Sequence, residues 1–260
     1  MSYTSRAGDS PVLRDRWADG GPSLGAWCCL ADAAVAEILA RQGFDWVCVD
    51  VQHGLASEAT LPGMLAAVSA AGVPGIVRVR WNTPSDIGWA LDVGAQGVIV
   101  PMVDTAADAA RAVAACRYPP AGTRSYGPVR PAFADARGDL AEINRRVVCA
   151  VMIETAAAVA QVEEIAAVPG VDALFVGPSD LAVALGVEPG AAARASQVFQ
   201  DATARVVRAC QDNGIVAGIY AGGPEVTKYW GARGFRMMTL HSDTGLLEES
   251  AADVVARARG

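Results

Sequence analysis

Hydrophobic positions along the chain fall into short dense runs, separated by longer stretches in which apolar residues recur with helical spacing. The dense runs are "LGAWCCL" (24–30), "DWVCVDV" (45–51), "GIVRVR" (75–80), "GVIVPMV" (97–103), "VVCAVMIE" (147–154), "DALFVGP" (172–178), "GIVAGIY" (214–220) and "FRMMTL" (235–240). Each is short and dominated by apolar residues, and most are rich in Val and Ile, the pattern of a strand buried on both faces. Between them, "ASEATLPGMLAAVSAAG" and "AAAVAQVEEIAAVPG" carry helical periodicity and end at glycine, a usual helix stop. Strand alternating with helix predicts a parallel sheet covered by helices on both faces. Eight such units in about 250 residues match a (β/α)8 TIM barrel. A doubly wound sheet is the weaker match, because no G-x-G-x-x-G follows the first run. Residues 1–23 read as an N-terminal segment with a short helix, and 24–260 as the barrel. One connection is uneven: the helix "AADAARAVAAC" leads into "RYPPAGTRSYGPVRPAFADARGD", too long for a plain link and read as a functional loop or subunit contact.

Composition narrows the class. With 52% hydrophobic and 19% charged residues, the 260-residue chain reads as a soluble α/β enzyme rather than a disordered or fibrous one. A net charge of −7 with no offsetting basic run argues against nucleic-acid or anionic-membrane partners. An anionic substrate would therefore need local arginine or a metal. The six cysteines lack zinc spacing, and Cys28, Cys48 and Cys149 sit within apolar runs; they are expected to be reduced core thiols of a cytoplasmic protein. The first 22 residues lack the apolar stretch of a signal peptide, and no run is long enough for a membrane span. The chain has a single lysine, Lys228, in a helical stretch away from any strand end.

In a TIM barrel the chemistry sits at the C-terminal ends of the strands. Those ends carry Asp50 and His53, Arg78 and Arg80, Glu154, and Asp180 in the turn "GPSD". Glu154 and Asp180 are two carboxylates at neighbouring strand ends, fit to bind a hard cation such as Mg2+; their plainer roles are a salt bridge and a helix N-cap. His53 is one of two histidines, and Asp92 closes the third helical stretch. A contact between them would fix the imidazole tautomer and leave the other nitrogen as a general base. Arg78 faces inward and needs an anion, either a protein carboxylate or a substrate oxyanion. Alternation puts Arg80 on the same face, unless it lies beyond the strand.

Taken together, these residues resemble the HpcH/HpaI family of class II metal-dependent pyruvate aldolases, which includes 4-hydroxy-2-oxoheptanedioate and 2-dehydro-3-deoxyglucarate aldolases. The resemblance runs from about Leu24 to Gly245 through "GFDWVCVDVQHG", "VRVRWN", "LDVGAQGVIVPMVDTAADA", "RYPPAGTRSYG", "IET" and "GVDALFVGPSDLAVALG". It implies a barrel whose divalent ion, Mg2+, Mn2+ or Co2+, is held by Glu154 and Asp180. A 2-oxoacid would chelate that ion, its carboxylate met by backbone N–H groups of the turn Gly177, Pro178, Ser179 and Asp180. His53, oriented by Asp92, would be the base, and Arg78 would stabilise the oxyanion. The resemblance also implies a homo-oligomer, a hexamer built as a trimer of dimers with the last helix exchanged between neighbours, for which "GLLEESAADVVARAR" is suited.

Two positions depart from the family pattern. Gln52 stands where a glutamate is common beside the base, and Met152 stands where a glutamine commonly contacts substrate. His241, at the end of the eighth run, takes a place often held by a small residue and is expected to line the pocket or to be structural. The bare residues also favour a metal over a Schiff-base lysine as the electron sink, because Lys228 is misplaced for the latter. The leading expectation is an aldolase that reversibly cleaves 4-hydroxy-2-oxoacids to pyruvate, or a relative such as hydroxypyruvate, and an aldehyde. The alternatives are a citrate-lyase-β-like lyase of CoA esters, for which only Arg124 and Arg130 offer basic groups, and a non-catalytic barrel that binds an oxoacid.

Overall fold

The dense apolar runs each become one strand of a closed barrel in the computed structural model, which describes residues 13–18, 20–127 and 139–260. The chain enters through α1 (Leu13–Ala18), then β1 (Ser23–Cys28), α2 (Ala33–Ala40), β2 (Trp46–Asp50), α3 (Leu61–Ala70), β3 (Gly75–Arg78), α4 (Pro84–Asp92) and β4 (Gly97–Val100). It continues through α5 (Ala106–Cys116), α6 (Leu140–Arg146), β5 (Val148–Ile153), α7 (Ala156–Ala160), α8 (Val162–Ala166), β6 (Ala173–Val176) and α9 (Pro178–Ala184). It closes with α10 (Ala191–Ala195), α11 (Gln197–Asn213), β7 (Val216–Tyr220), α12 (Pro224–Gly231), β8 (Met237–Ser242) and α13 (Asp243–Arg259). All strands are parallel and pair in chain order, and β8 returns to β1 with a bulge at Gly25/Ala26. The expected TIM barrel is the fold.

Local chemistry marks where the helices begin. Asp32, Thr83 and Thr105 each sit before a helix in extended conformation and accept a first-turn N–H with the side chain. Thr105 and Asp108 exchange these bonds reciprocally as a capping box. The stretch "AAAVAQVEEIAAVPG" differs from the sequence expectation: it breaks at Gln161 into α7 and α8.

Period-two alternation sorts the strand residues between two cores. Val47 and Val49 of β2, Val77 of β3 and Val151 and Ile153 of β5 pack outward against the helices. Trp27, Trp46, Cys48, Ile76, Ala150, Met152 and Phe175 fill the barrel interior. Continuing each inward row upward by two residues leads from Cys48 to Asp50, from Ile76 to Arg78, from Met152 to Glu154 and from Phe175 to Gly177. The polar groups at the C-terminal rim are therefore the last members of rows that are otherwise apolar. β3 ends at Arg78, so Arg80 lies beyond it, exposed, paired with Glu58 and Asp86 at 3.1 Å each.

Candidate active site

Asp50 is 1% exposed and accepts five hydrogen bonds. Arg78 grips it bidentately, with Nε 2.9 Å from Oδ1 and Nη2 on Oδ2. Trp27 Nε1 donates to Oδ2 at 3.1 Å, and the amides of Gln52 and His53 donate to Oδ1 at 3.0 and 3.1 Å. Burial alone would push this carboxyl up; the guanidinium and the N–H donors outweigh it and hold its pKa below the ordinary value. The indole of Trp27 also lies 5.1 Å from the Arg78 guanidinium, and it rests on Phe175 and Tyr220 at 5.9 and 5.7 Å. Of the two anions that Arg78 was expected to meet, the structure supplies the protein carboxylate.

The turn after β2 presents His53 to solvent. Gly54 makes that turn possible, since a Cβ there would meet the Asp50 carbonyl oxygen at 2.3 Å. Gln52 Oε1 is buried without a hydrogen-bond partner among the described residues. The side chain at this departure from the family pattern is thus an unsatisfied acceptor beside His53.

Glu154, 3% exposed, is the second centre. Its Oε1 accepts the amide of Met102 at 2.7 Å, and Met102 adopts φ 54°, the left-handed region a non-glycine residue rarely occupies. Burial pushes the Glu154 pKa up; the Met102 amide partly offsets this, and the Asp180 charge adds to it. Oε2 faces Gly177, where any Cβ would come within 2.6 Å. Asp180 lies in the first turn of α9, exposed with Ser179. Pro178 opens that helix, and the amides of Ser179 and Asp180 lie in its first turn, where an intrahelical acceptor is lacking. Met152 is buried in the barrel interior with its methyl beside Gly177.

These residues fit a hard divalent cation. The donors are carboxylate oxygens, one Glu154 oxygen is already committed, and burial together with the nearby Asp180 charge raises the cost of ionising Glu154 in a way that a cation would relieve. Among the described residues no group of three or more His, Cys, Asp and Glu side chains is arranged for a metal. Two protein ligands, with water or substrate oxygens completing the shell, is the arrangement that Mg2+ favours.

One expected pairing changes, and two other candidates have structural partners. Asp92 does not meet His53 within the chain: α4 runs from the C-terminal to the N-terminal face, and its last residue bonds Arg124 Nη2 at 2.6 Å, at the opposite end of the barrel. Arg124 is buried against the Tyr118 ring at 4.5 Å, so it offers nothing to a CoA nucleotide, and Arg130 lies outside the described residues. His241 is bound in place rather than open: its Nδ1 accepts the Ser242 amide at 2.9 Å, so its Nε2 donates to Glu249 of α13 at 3.0 Å. Lys228 is 74% exposed and paired with Glu225, far from the rim.

Sequence reasoning missed Trp27, Met102 and Cys29. Trp27 was findable, being an inward residue one before the end of β1. Cys29, half-buried, has its thiol pushed up to about 11 by burial and by Asp243 and Asp50. The left-handed Met102 carries no sequence signal.

A TIM barrel whose C-terminal rim combines paired carboxylates, an anchored guanidinium and an exposed histidine, with no lysine at hand, is built for carbanion chemistry of the carbon–carbon lyase type. Comparison with known proteins gives the class its family: the chain belongs to the HpcH/HpaI aldolase/citrate lyase family, which matches residues 23–249. It is 38% identical to a hydroxypyruvate/pyruvate aldolase of Rhizorhabdus wittichii over 95% of this chain and 98% of that protein. It is 35% identical to a 4-hydroxy-2-oxovalerate aldolase of Rhodococcus jostii over 95% and 96%. A crystal structure of a family protein from Burkholderia cenocepacia superposes with TM-score 0.88, at 35% identity, covering 95% and 99% of the two chains. The protein is an enzyme, a carbon–carbon lyase.

Proposed function

We propose that the protein is a divalent-metal-dependent aldolase that reversibly cleaves 4-hydroxy-2-oxoacids to an aldehyde and pyruvate or a related 2-oxoacid such as hydroxypyruvate. The observation that carries this reading is the convergence of Asp50, Arg78 and Glu154, each ending an inward strand row at one rim, with Asp180 close enough to act on Glu154 electrostatically. Glu154 and Asp180 would hold Mg2+, Mn2+ or Co2+, which when bound supplies Lewis-acid polarisation of the keto group. The first turn of α9, Gly177 to Asp180, receives the substrate carboxylate. Arg78, with Nε and one Nη2 hydrogen committed to Asp50, keeps its Nη1 edge for the oxygen on which charge develops as the C3–C4 bond breaks. His53 takes the proton of the C4 hydroxyl. Met152 sets an apolar wall beside the carboxylate turn.

Asp92 can orient His53 only from another subunit, since the two lie at opposite ends of one barrel. A homo-oligomer, a hexamer built as a trimer of dimers, agrees with α13: only its first residue is buried, and Leu246, Leu247, Val254 and Val255 are exposed. The six free cysteines suit the cytoplasm. Among the described residues no helix is long and apolar enough to cross a membrane.

The test is pyruvate release from a 4-hydroxy-2-oxoacid, abolished by EDTA and restored by Mg2+, Mn2+ or Co2+. Turnover that survives chelation would overturn the metal, and absence of turnover on any such acid would overturn the aldolase.

A further inference from the structure

Asp50 is too fully employed to be a spare pocket carboxylate. Its five hydrogen bonds come from two different parts of the site, and at 1% exposure it has no water to replace them. We propose that Asp50 is a positioning residue that sets the oxyanion-binding edge of Arg78 and the backbone turn of His53 from a single carboxylate, with Trp27 fixing the plane of the guanidinium. The inference rests on the aldolase reading above and extends it to how the two groups are held in register.

The two oxygens divide the work. Oδ2 takes Arg78 Nη2 and the indole N–H, and Oδ1 takes Arg78 Nε together with the amides of residues 52 and 53. A bidentate grip fixes the guanidinium within its plane. The Trp27 ring, 5.1 Å from the guanidinium, fixes the plane itself, so the Nη1 edge is left pointing one way. The His53 turn cannot retreat, because Gly54 already packs against the Asp50 carbonyl. Moving Asp50 therefore moves donor and base together. Without its charge, Arg78 has one strong attractor left nearby, Glu154, whose ionisation it already favours. A guanidinium drawn to Glu154 would leave the oxyanion position unserved.

The experiment compares full-length wild type, Asp50→Asn, Arg78→Lys and the double variant. It measures pyruvate release with Mg2+, inhibition by oxalate as a planar mimic of the pyruvate enolate, and thermal melts. Asp50→Asn is expected to lower kcat about 10²-fold, the scale of losing one oxyanion donor, and to weaken oxalate at least about 10-fold. Asparagine keeps one oxygen to accept the amides of residues 52 and 53, so Asp50→Asn removes the charged grip on Arg78 and leaves the His53 turn held; the double variant should therefore match Arg78→Lys to within about twofold. A merely structural carboxylate would lower the melting temperature and leave oxalate inhibition of the folded enzyme unchanged. Should Asp50→Asn not fold, Asp50→Glu retains the charge while displacing the guanidinium, and the same losses are expected of it. Wild-type kcat and oxalate inhibition in a folded Asp50 variant, or multiplied losses in the double variant, would overturn the inference alone. A wild type with no aldolase activity would overturn the aldolase reading and the inference with it.

Discussion

Gly177 is where one added methyl group tests the proposed metal site most directly. Its φ of −87° is one that alanine adopts freely, so Gly177→Ala brings no backbone strain and acts by contact alone. The new Cβ would stand 2.6 Å from Glu154 Oε2, 2.9 Å from Met152 Cε and 3.2 Å from Glu154 Cβ, where ordinary contact begins at 3.4 Å. The methionine methyl can swing aside. Glu154 cannot, because its Oε1 is tied to the Met102 amide and its Cβ belongs to a buried row. Either its carboxylate turns or the start of α9 shifts and carries Asp180 with it; both change the separation of the two ligands. Mg2+ and Mn2+ tolerate little such change, as metal–oxygen distances are held near about 2.1 Å. The expected cost is about 10- to 100-fold in metal affinity, with a fall in stability of about 1–3 kcal/mol from overpacking. Calorimetric titration of EDTA-stripped protein with Mn2+, alongside thermal melts, measures both. Gly88→Ala is the control: nothing lies within 4 Å of its Cβ inside α4, so it should gain up to about 1 kcal/mol and bind Mn2+ as wild type does. Wild-type Mn2+ affinity in Gly177→Ala would refute the placement of the ligand at Glu154 Oε2.

Three further outcomes are expected. Lys228→Arg should retain wild-type turnover, and borohydride should trap no substrate adduct, because the one amine is exposed and paired with Glu225. The Asp50 pKa lies below its ordinary 3.8 in the folded state, so its charged form stabilises the fold above that value and ceases to as pH falls through the depressed pKa. The gap in melting temperature between wild type and Asp50→Asn should accordingly hold from neutrality to about pH 5 and then narrow. Asp92→Asn strands the buried Arg124 guanidinium and should cost about 1–3 kcal/mol, less than a fully buried pair because the Asp92 side chain is 29% exposed. If its kcat falls further than the folded fraction explains, Asp92 serves His53 across a subunit boundary.

Much of the site was legible because two simple rules meet at the rim. Inward rows follow from alternation, and chemistry follows from the C-terminal ends of barrel strands, so Asp50, Arg78 and Glu154 could be picked out one strand at a time. Glycine and proline before an acid likewise marked the start of α9. Pairing was another matter. Asp92 and His53 were matched by chemical suitability, and the carboxylate went instead to Arg124, 32 residues further along. Likewise, His241 was open to a pocket role until α13 folded back to bring Glu249 against its Nε2.

By itself the sequence determined the barrel, its strand order and the identity of the polar groups at its rim. These depend on local periodicity, and each strand reports its own inward face without reference to the others. Only the tertiary structure decided that Asp50 grips Arg78 across 28 residues and that a left-handed Met102 aims its amide at Glu154 across 52. Such contacts arise from register and barrel closure, which bring row ends together at fixed heights. No window of sequence contains that information, because it belongs to pairs of strands and not to either one.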